Sequence, residues 1–575
     1  MKKTTIVRYT VLATSLLCSA LASHATPPDA GQLLRQENEH DKPPAPSLPA
    51  PVLAPEKEPL PAEAGPQVVV NGFKVVGLQA LSEAQAQAIL APYVGQSLGM
   101  NNLHSVAERF EKWLRTRGLF TARAYIPPQD VQGGVIELRV LEGRLEGIDV
   151  KSAPGTRLLS ETLRAILTGA LPAGAAMEQA QLERGLLLMN DLPATSARAV
   201  LVPGKELGGS RVLVEAAQGP VLSGSAELDN TGNRYTGEWR AGATLLVNDA
   251  YGRGDQWSLR VAATQGTSFA RVGYSALLAN NGLKGGVSLL DSRYKLCCNL
   301  DTNTPEADGE ANAVAAYVSY PYVRTLQQSV SMSANIAMRK FINRGNGIVI
   351  SDKSTSSLML ALSGDQYNTT GMTGFGSYTT YGVQWTTGSL NLDGAANDRL
   401  ADSVTQQSHG QYNKLNMQAS HMLRLNPTTT MYGSVSGQWA GKNLDSSEKF
   451  VLGGPNGVRA YPAGEGSGDE GWLASVEWRR NLDKQWSMVV FLDAGEVQLH
   501  RSTWANWNAT NPNLNNRYGL AGAGATLVWS PANGRQFTAT LANRIGENPG
   551  RDLNGRDSDN QSLQPRLWLQ ANAAF

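Results

Sequence analysis

Only three cysteines occur in 575 residues, too few for a disulfide-dense scaffold, and one of them, Cys18, lies at the extreme N-terminus. No stretch reaches the ~18 consecutive apolar residues of a membrane helix, which excludes a helical transporter. A β-barrel stays open, because alternating strands average lipid-facing and water-facing residues into the bland mean hydropathy of −0.26 seen here. Excess charge is missing too: 50 Lys+Arg against 49 Asp+Glu leave a net +1, without the basic footprint of a nucleic-acid-binding protein. The six histidines, His24, His40, His104, His409, His421 and His500, are dispersed, so no metal site is read from them. Walker loop, G-x-S-x-G, H-E-x-x-H and paired CxxC motifs are all lacking. The expectation is a protein with no catalytic residues and no cofactor.

What is present begins with a leader. Lys2, Lys3 and Arg8 precede the apolar run Val11–Ala22, and Ser23-His24-Ala25 offers small residues for cleavage, so 1–25 reads as a signal peptide. Leu17 is too large for the residue before a lipidated Cys18. Eleven of the 28 prolines lie between Thr26 and Pro66, nine of them from Pro43 onward, which makes 41–66 an extended linker. Ahead of it, in 26–40, Asp29 is suited to cap a short helix, Ala30 to Asn38, with Leu33 and Leu34 as an apolar spot. The other reading of this segment is a structureless N-terminus without a role.

From Gln67 two α+β modules follow, 67–143 and 144–219. The first reads as a strand over 68–76, a helix Leu81 to Leu90 begun by Ser82, a helix Asn102 to Arg117, and strands Ala122 to Ile126 and Val135 to Val140. In the second helix Leu103, Val106, Phe110, Trp113 and Leu114 form one stripe. The order repeats with a strand at Leu145 to Val150, helices Ser160 to Leu167 and Met177 to Met189, and strands Ala197 to Val202 and Arg211 to Ala216. Exposed edges of such small sheets can take an extended peptide as an added strand.

The remaining 220–575 alternates in short segments. Trp257, Leu259 and Val261 are set against Ser258, Arg260 and Ala262; Trp472, Ala474, Val476 and Trp478 against Ser475, Glu477 and Arg479; Leu567, Leu569, Ala571, Ala573 and Phe575 against Gln570 and Asn572. Eleven of the twelve tryptophans lie here, as aromatic girdles require, so a transmembrane barrel is expected over a soluble β-sandwich. Length alone accommodates 14, 16 or 18 strands of about 10 residues plus connections. In Phe491-Leu492-Asp493-Ala494-Gly495, the apolar set Met488, Val490, Leu492 and Ala494 faces lipid, which turns Asp493 inward. Cys297-Cys298 falls in a barrel connection, where an oxidising compartment allows a vicinal disulfide.

Several stretches resemble one family. Ala122-Arg123-Ala124-Tyr125-Ile126-Pro127-Pro128-Gln129-Asp130, followed by Gly134-Val135-Ile136-Glu137-Leu138-Arg139-Val140 and Glu142-Gly143, looks like the first POTRA domain of two-partner secretion transporters, the haemolysin-activator (TpsB) class within the BamA-like superfamily. Leu228-Asp229-Asn230-Thr231-Gly232 and Gly252 to Gln256 resemble it as well. Gly453 to Tyr461, ending Val458-Arg459-Ala460-Tyr461, is similar to the VRGY tip of an extracellular loop that folds into the lumen, here within 449–471, with Ala460 where Gly is usual. Phe491, Asp493 and Gly495 match its FxDxG partner motif on the barrel wall, and Gly31 to Gln36, with Leu33, Leu34 and Arg35, looks like the plug helix.

The resemblance implies a 16-stranded antiparallel barrel preceded by two periplasmic POTRA domains in the bacterial outer membrane. It would be a monomer inserted by the barrel assembly machinery and surrounded by outer-membrane lipids. Its activity would be secretion, without ATP, of a TpsA-type exoprotein such as a haemolysin, adhesin or contact-dependent toxin. Arg459 is expected to pair with Asp493; the plain alternative is two solvated charges worth little. The competing functions are a BamA-like assembly factor, which usually carries more POTRA repeats, and a passive porin, which leaves 67–216 without a role.

Overall fold

A computed structural model describes residues 27–40, 67–119, 121–171, 177–206, 208–299, 306–370, 372–531 and 534–575. The expected signal peptide, the Pro-rich linker 41–66 and most of the polar stretch after Asn299 lie outside the described residues.

In the first module, helix Met100–Thr116 buries Leu103, Val106, Ala107, Phe110 and Leu114, one face of a 3.6-residue repeat. Ser82 caps helix Glu83–Leu90 in a reciprocal capping box with Gln85. The central strand Val135–Leu141 runs parallel to Gly72–Val76 and antiparallel to Arg123–Tyr125. The single strand expected over 68–76 is in fact two. Gln67–Val69 pairs with Ser97–Gly99, outside the main sheet. At the break, Val70 N donates to Gln96 O and Asn71 N to Gly134 O, so the backbone changes partner within two residues.

The second module repeats this plan: Arg144–Ser152 lies parallel to Gly209–Gln218, which pairs antiparallel with Thr195–Pro203. Helices Ser160–Ala170 and Gln179–Asn190 pack closely at Gly185, where a Cβ would fall 2.6 Å from Leu167 Cδ1. The second of these helices starts later than the sequence suggests, because Met177, fully buried, donates its N–H to Gly143 O instead of entering a helical turn.

Sixteen antiparallel strands then form a closed barrel, from Leu222–Asp229 to Arg566–Ala574, which pair with each other through registers from Gln570↔Asp229 to Ala574↔Ser225. Closure leaves no free edge, the condition for a sheet to cross a bilayer. The period of two places Val490 and Leu492 on the outer face, 45% and 50% exposed, and Asp493 on the inner face at 0%. Among the described residues no helix is long and apolar enough to cross a membrane. Trp486 and Trp529 stack at 5.8 Å, and Trp529 and Phe537 at 5.1 Å, on the rim nearest the POTRA units. Not every tryptophan joins a girdle, however: Trp504 and Trp507 pack on His500 in a loop, and Trp568 points inward.

Candidate functional site

The connection between Thr429–Ala440 and Glu470–Asn481 leaves the rim and folds into the lumen, where Val458, Ala460 and Tyr461 of its tip are buried and Arg459 is partly so. Its landing place is set by register. Antiparallel pairing of Glu470–Asn481 with Trp486–Gln498 puts Ser475 beside Asp493 and Glu477 beside Phe491, four inward positions in a rectangle. Arg459 lies across it. Its Nε and Nη2 donate to the two Asp493 oxygens at 2.8 and 2.6 Å, its Nη1 to Glu477 Oε1 at 2.8 Å, and its Nη2 also to Ser475 Oγ at 3.0 Å. The guanidinium carbon stands 3.5 Å from the centre of the Phe491 ring. Such a planar fork satisfies a carboxylate bidentately while stacking on an aromatic face, which Lys cannot do.

The other motif residues are accommodated by space. A Cβ on Gly495 would meet Leu452 Cδ1 of the loop at 2.4 Å. Ala460 is absent from the positive-φ residues, and its methyl rests against Gly522, where an added Cβ would come within 2.6 Å. The extra methyl therefore needs no left-handed backbone; it needs a glycine opposite. Gly524 likewise makes room for the Phe491 ring. Val458 N donates to Leu452 O and Tyr461 N to Val458 O, while the Arg544 guanidinium stacks on the Tyr461 ring at 4.8 Å.

Sequence reasoning missed Glu477 and Ser475 as partners, although alternation had turned both inward. It also missed Gly522 and Gly524, whose signal was the run Gly519-Leu520-Ala521-Gly522-Ala523-Gly524, and Trp568, whose signal was its place on the inward side of the alternation with Gln570 and Asn572.

Beside the loop, helix Ala30–His40 occupies the lumen. Asp29 Oδ1 accepts from Gln32 N at its start, and Asp29 Oδ2 meets Lys353 Nζ at 3.2 Å and Ser446 Oγ at 2.7 Å. Leu33 and Leu34 are buried against an aromatic patch on the wall, and Arg35 donates to the carbonyl oxygens of Ser446 and Lys449. Arg240 Nη1 reaches Glu37 at 3.3 Å. All of these are non-covalent contacts, and the helix touches both the wall and the inward-folded loop.

The POTRA signature is structural at its centre. Gln129 donates through Nε2 to Glu137 O and accepts from Glu137 N, so its side chain extends the pairing of the central strand. Tyr125 ends the edge strand, and Pro127 and Pro128 follow as the non-helical connection. Gly134, at φ +74°, could not carry a Cβ, which would fall 2.5 Å from Val69 O. The second unit is held to the barrel by Arg157, donating to Asn248 O and Asp249 O, and by Arg324, bidentate to Asp191 at 2.8 and 2.9 Å.

Cys297 and Cys298 are joined as a vicinal disulfide, and both backbone N–H groups donate to Tyr235 O. Among the described residues no cluster of His, Cys, Asp and Glu is suited to hold a metal ion.

A closed barrel with a loop anchored in its lumen, carried on helix-backed POTRA sheets, defines the BamA-like class of outer-membrane proteins. Residues 208–526, more than half of the chain, match the family described as haemolysin secretion/activation protein ShlB/FhaC/HecB, and residues 68–143 match the ShlB-type POTRA domain. The chain belongs to this family of outer-membrane transporters, which are not enzymes. It is 26% identical over 471 residues, 80% of each chain, to the Heme/hemopexin transporter protein HuxB of Haemophilus influenzae (strain 86-028NP). It is also 26% identical over 440 residues to the outer membrane transporter CdiB of Dickeya dadantii (73% of this chain, 75% of the relative). The solved structure of CdiB from Escherichia coli superposes with a TM-score of 0.70 at 19% identity, over 99% of this chain and 98% of that one. The barrel sits in the outer membrane and the POTRA units in the periplasm.

Proposed function

We propose that this protein is the transporter of a two-partner secretion pair, and that it captures an unfolded TpsA-type exoprotein in the periplasm and passes it through the barrel lumen to the cell surface. The observation that carries this reading is a lumen occupied by the chain's own helix through non-covalent contacts only, with the second POTRA unit fixed at the periplasmic mouth. A permanent pore needs no such helix, and a stopper held this way can leave.

Capture would use sheet edges. Thr195–Pro203 is an edge strand with Val200 and Leu201 exposed, and Arg123–Tyr125 is the edge of the first unit. Backbone pairing at such edges is sequence-tolerant and weak enough for release. No phosphate-binding loop is present in the sequence, and the driving force is assigned to folding of the exoprotein outside, which opposes its return. Arg459, Asp493 and Glu477 would hold the loop as a fixed wall of the conduit. The barrel assembly machinery would insert the protein, and outer-membrane lipids would surround it. The names of two relatives, hemolysin transporter and heme/hemopexin transporter, speak for a cargo of haemolysin or haem-binding type, with a contact-dependent toxin as the third type that the family resemblance implies.

The test is export of a co-expressed exoprotein with and without this protein, beside an Arg459→Ala variant at equal outer-membrane level. Export that requires the protein and falls in the variant supports the reading. Failure across cargoes of all three types, with normal barrel insertion, sinks it in favour of the BamA-like assembly role.

A further inference from the structure

The inner wall of the barrel is mostly polar: Gln384, Thr386, Gln418, Gln438 and Ser475 all point inward. Two sectors depart from this: one, with Phe491, Leu520 and Ala542, is covered by the inward-folded loop, and the other lies against the helix. In the second, Ala262, Phe269, Tyr294, Ala311 and Phe341 lie on five successive strands, and with Tyr235 and Leu296 from the adjoining loops they form a continuous apolar cluster. The wall residues all sit near the strand ends remote from the POTRA units, so the cluster lies at the outer mouth of the lumen. It is covered by Ala30, Leu33 and Leu34 of the resting helix.

Once the helix leaves, four aromatic side chains stand bare in a water-filled pore, where uncovered apolar area is unfavourable. With the other apolar sector covered by the loop, the rest of the wall offers an unfolded chain only scattered apolar side chains such as Met359 and Leu473. We infer that this aromatic patch is a binding surface for the emerging exoprotein, taking branched aliphatic side chains of an extended segment, and that the helix is its resting place-holder. The spacing agrees: Ala30 and Leu34, four apart on a helix, stand about 5–6 Å apart, and alternate residues of an extended strand stand about 6.5–7 Å apart. Seating of the helix and binding of the segment are mutually exclusive, so arrival of the chain at the exit keeps the helix out and resists backsliding. This rests on the secretion reading above.

Two double variants separate a mere seat for the helix from a surface for the cargo. Leu33→Ser/Leu34→Ser loosens the helix and leaves the wall intact; Phe269→Ser/Phe341→Ser loosens the helix and also removes the wall surface. At equal outer-membrane level both should raise pore conductance in planar bilayers. The helix variant should export at or above the unaltered rate, and the wall variant at a rate lower by about fivefold or more. Equal export by the two overturns the inference alone; no export by the unaltered protein overturns the secretion reading with it. Should the wall variant fail to insert, a photo-crosslinking residue in place of Ala262 decides the matter. It should label the protein's own N-terminal helix at rest and the exoprotein during export, and labelling of the helix alone in exporting cells overturns the inference.

Discussion

Trp568 donates its indole N–H to the backbone carbonyl of Arg459 at 2.8 Å, across 109 residues of chain. The loop tip is thereby held to three strands, by the Arg459 side chain on two and by its backbone on the strand that closes the barrel. Trp568→Phe keeps an aromatic side chain but loses the donor and part of the indole's volume, and the lost hydrogen bond alone costs about 0.5–1.5 kcal/mol. Amide exchange at Ala460 and Tyr461 should accelerate about tenfold; unchanged exchange would show that the hydrogen bond does not hold the tip.

Arg459→Ala leaves the buried Asp493 carboxylate without its cation, while Glu477 keeps the ion pair with Arg479. Removing one member of a buried ion pair costs about 3–5 kcal/mol, and the thermal transition of the folded barrel on semi-native gels should drop accordingly. Arg459→Lys should recover only part, since one ammonium cannot reach Asp493 in a fork and Glu477 together. Removing both charges in Arg459→Ala/Asp493→Ala should cost less than the sum of the single losses.

Gly522→Ala sets two methyl carbons within 2.6 Å, closer than real side chains approach. Overpacking of this kind costs about 1–3 kcal/mol. Adding Ala460→Gly restores the room, so the double variant should melt near the unaltered protein. A double variant as unstable as Gly522→Ala alone would refute the contact.

Asp191 joins the second POTRA unit to the barrel through the Arg324 fork and, by its backbone oxygen, through Lys284 Nζ. Asp191→Ala removes the fork and leaves Arg157 on Asn248 and Asp249, and Arg184, which donates to the carbonyl oxygens of Pro321 and Tyr322. Distances between spin labels on the POTRA unit and the barrel rim should broaden while the barrel transition stays unchanged; a distribution as narrow as the original would contradict this.

In the second POTRA unit Glu146 accepts backbone N–H bonds from Lys205 and Glu206, at 2.7 and 2.8 Å, and these hold its carboxyl below the ordinary value of 4.5. The folded state thus prefers the ionised form. Its stabilising effect on the backbone at Lys205 and Glu206 is present above the unfolded-state value and is lost as the pH falls through the depressed one. Amide shifts of Lys205 and Glu206 should titrate below about pH 4.5, the unfolded reference, and Glu146→Gln should abolish that titration.

The barrel is legible in the sequence because its cause is local. Lipid on one side and water on the other act on each residue in turn, so Trp257, Leu259 and Val261 declare their face without knowledge of their neighbours. Helix Met100–Thr116 is legible for the same reason at a different period. The strand expected over 68–76 was misread because its break depends on Gln96 and Gly134, which are remote in sequence. Motifs name Arg459 and Asp493, but not what lies between them.

What the sequence determines by itself is therefore which face each strand or helix residue takes, since that follows from spacings of two to four residues. Tertiary structure alone decides that Ser475 and Glu477 complete the Arg459 site, that Gly522 admits Ala460, that Trp568 holds the tip, and that Leu33 and Leu34 meet the aromatic patch. These contacts are set by strand register and by closure of the barrel, which bring together residues up to several hundred positions apart, and no local pattern records that distance.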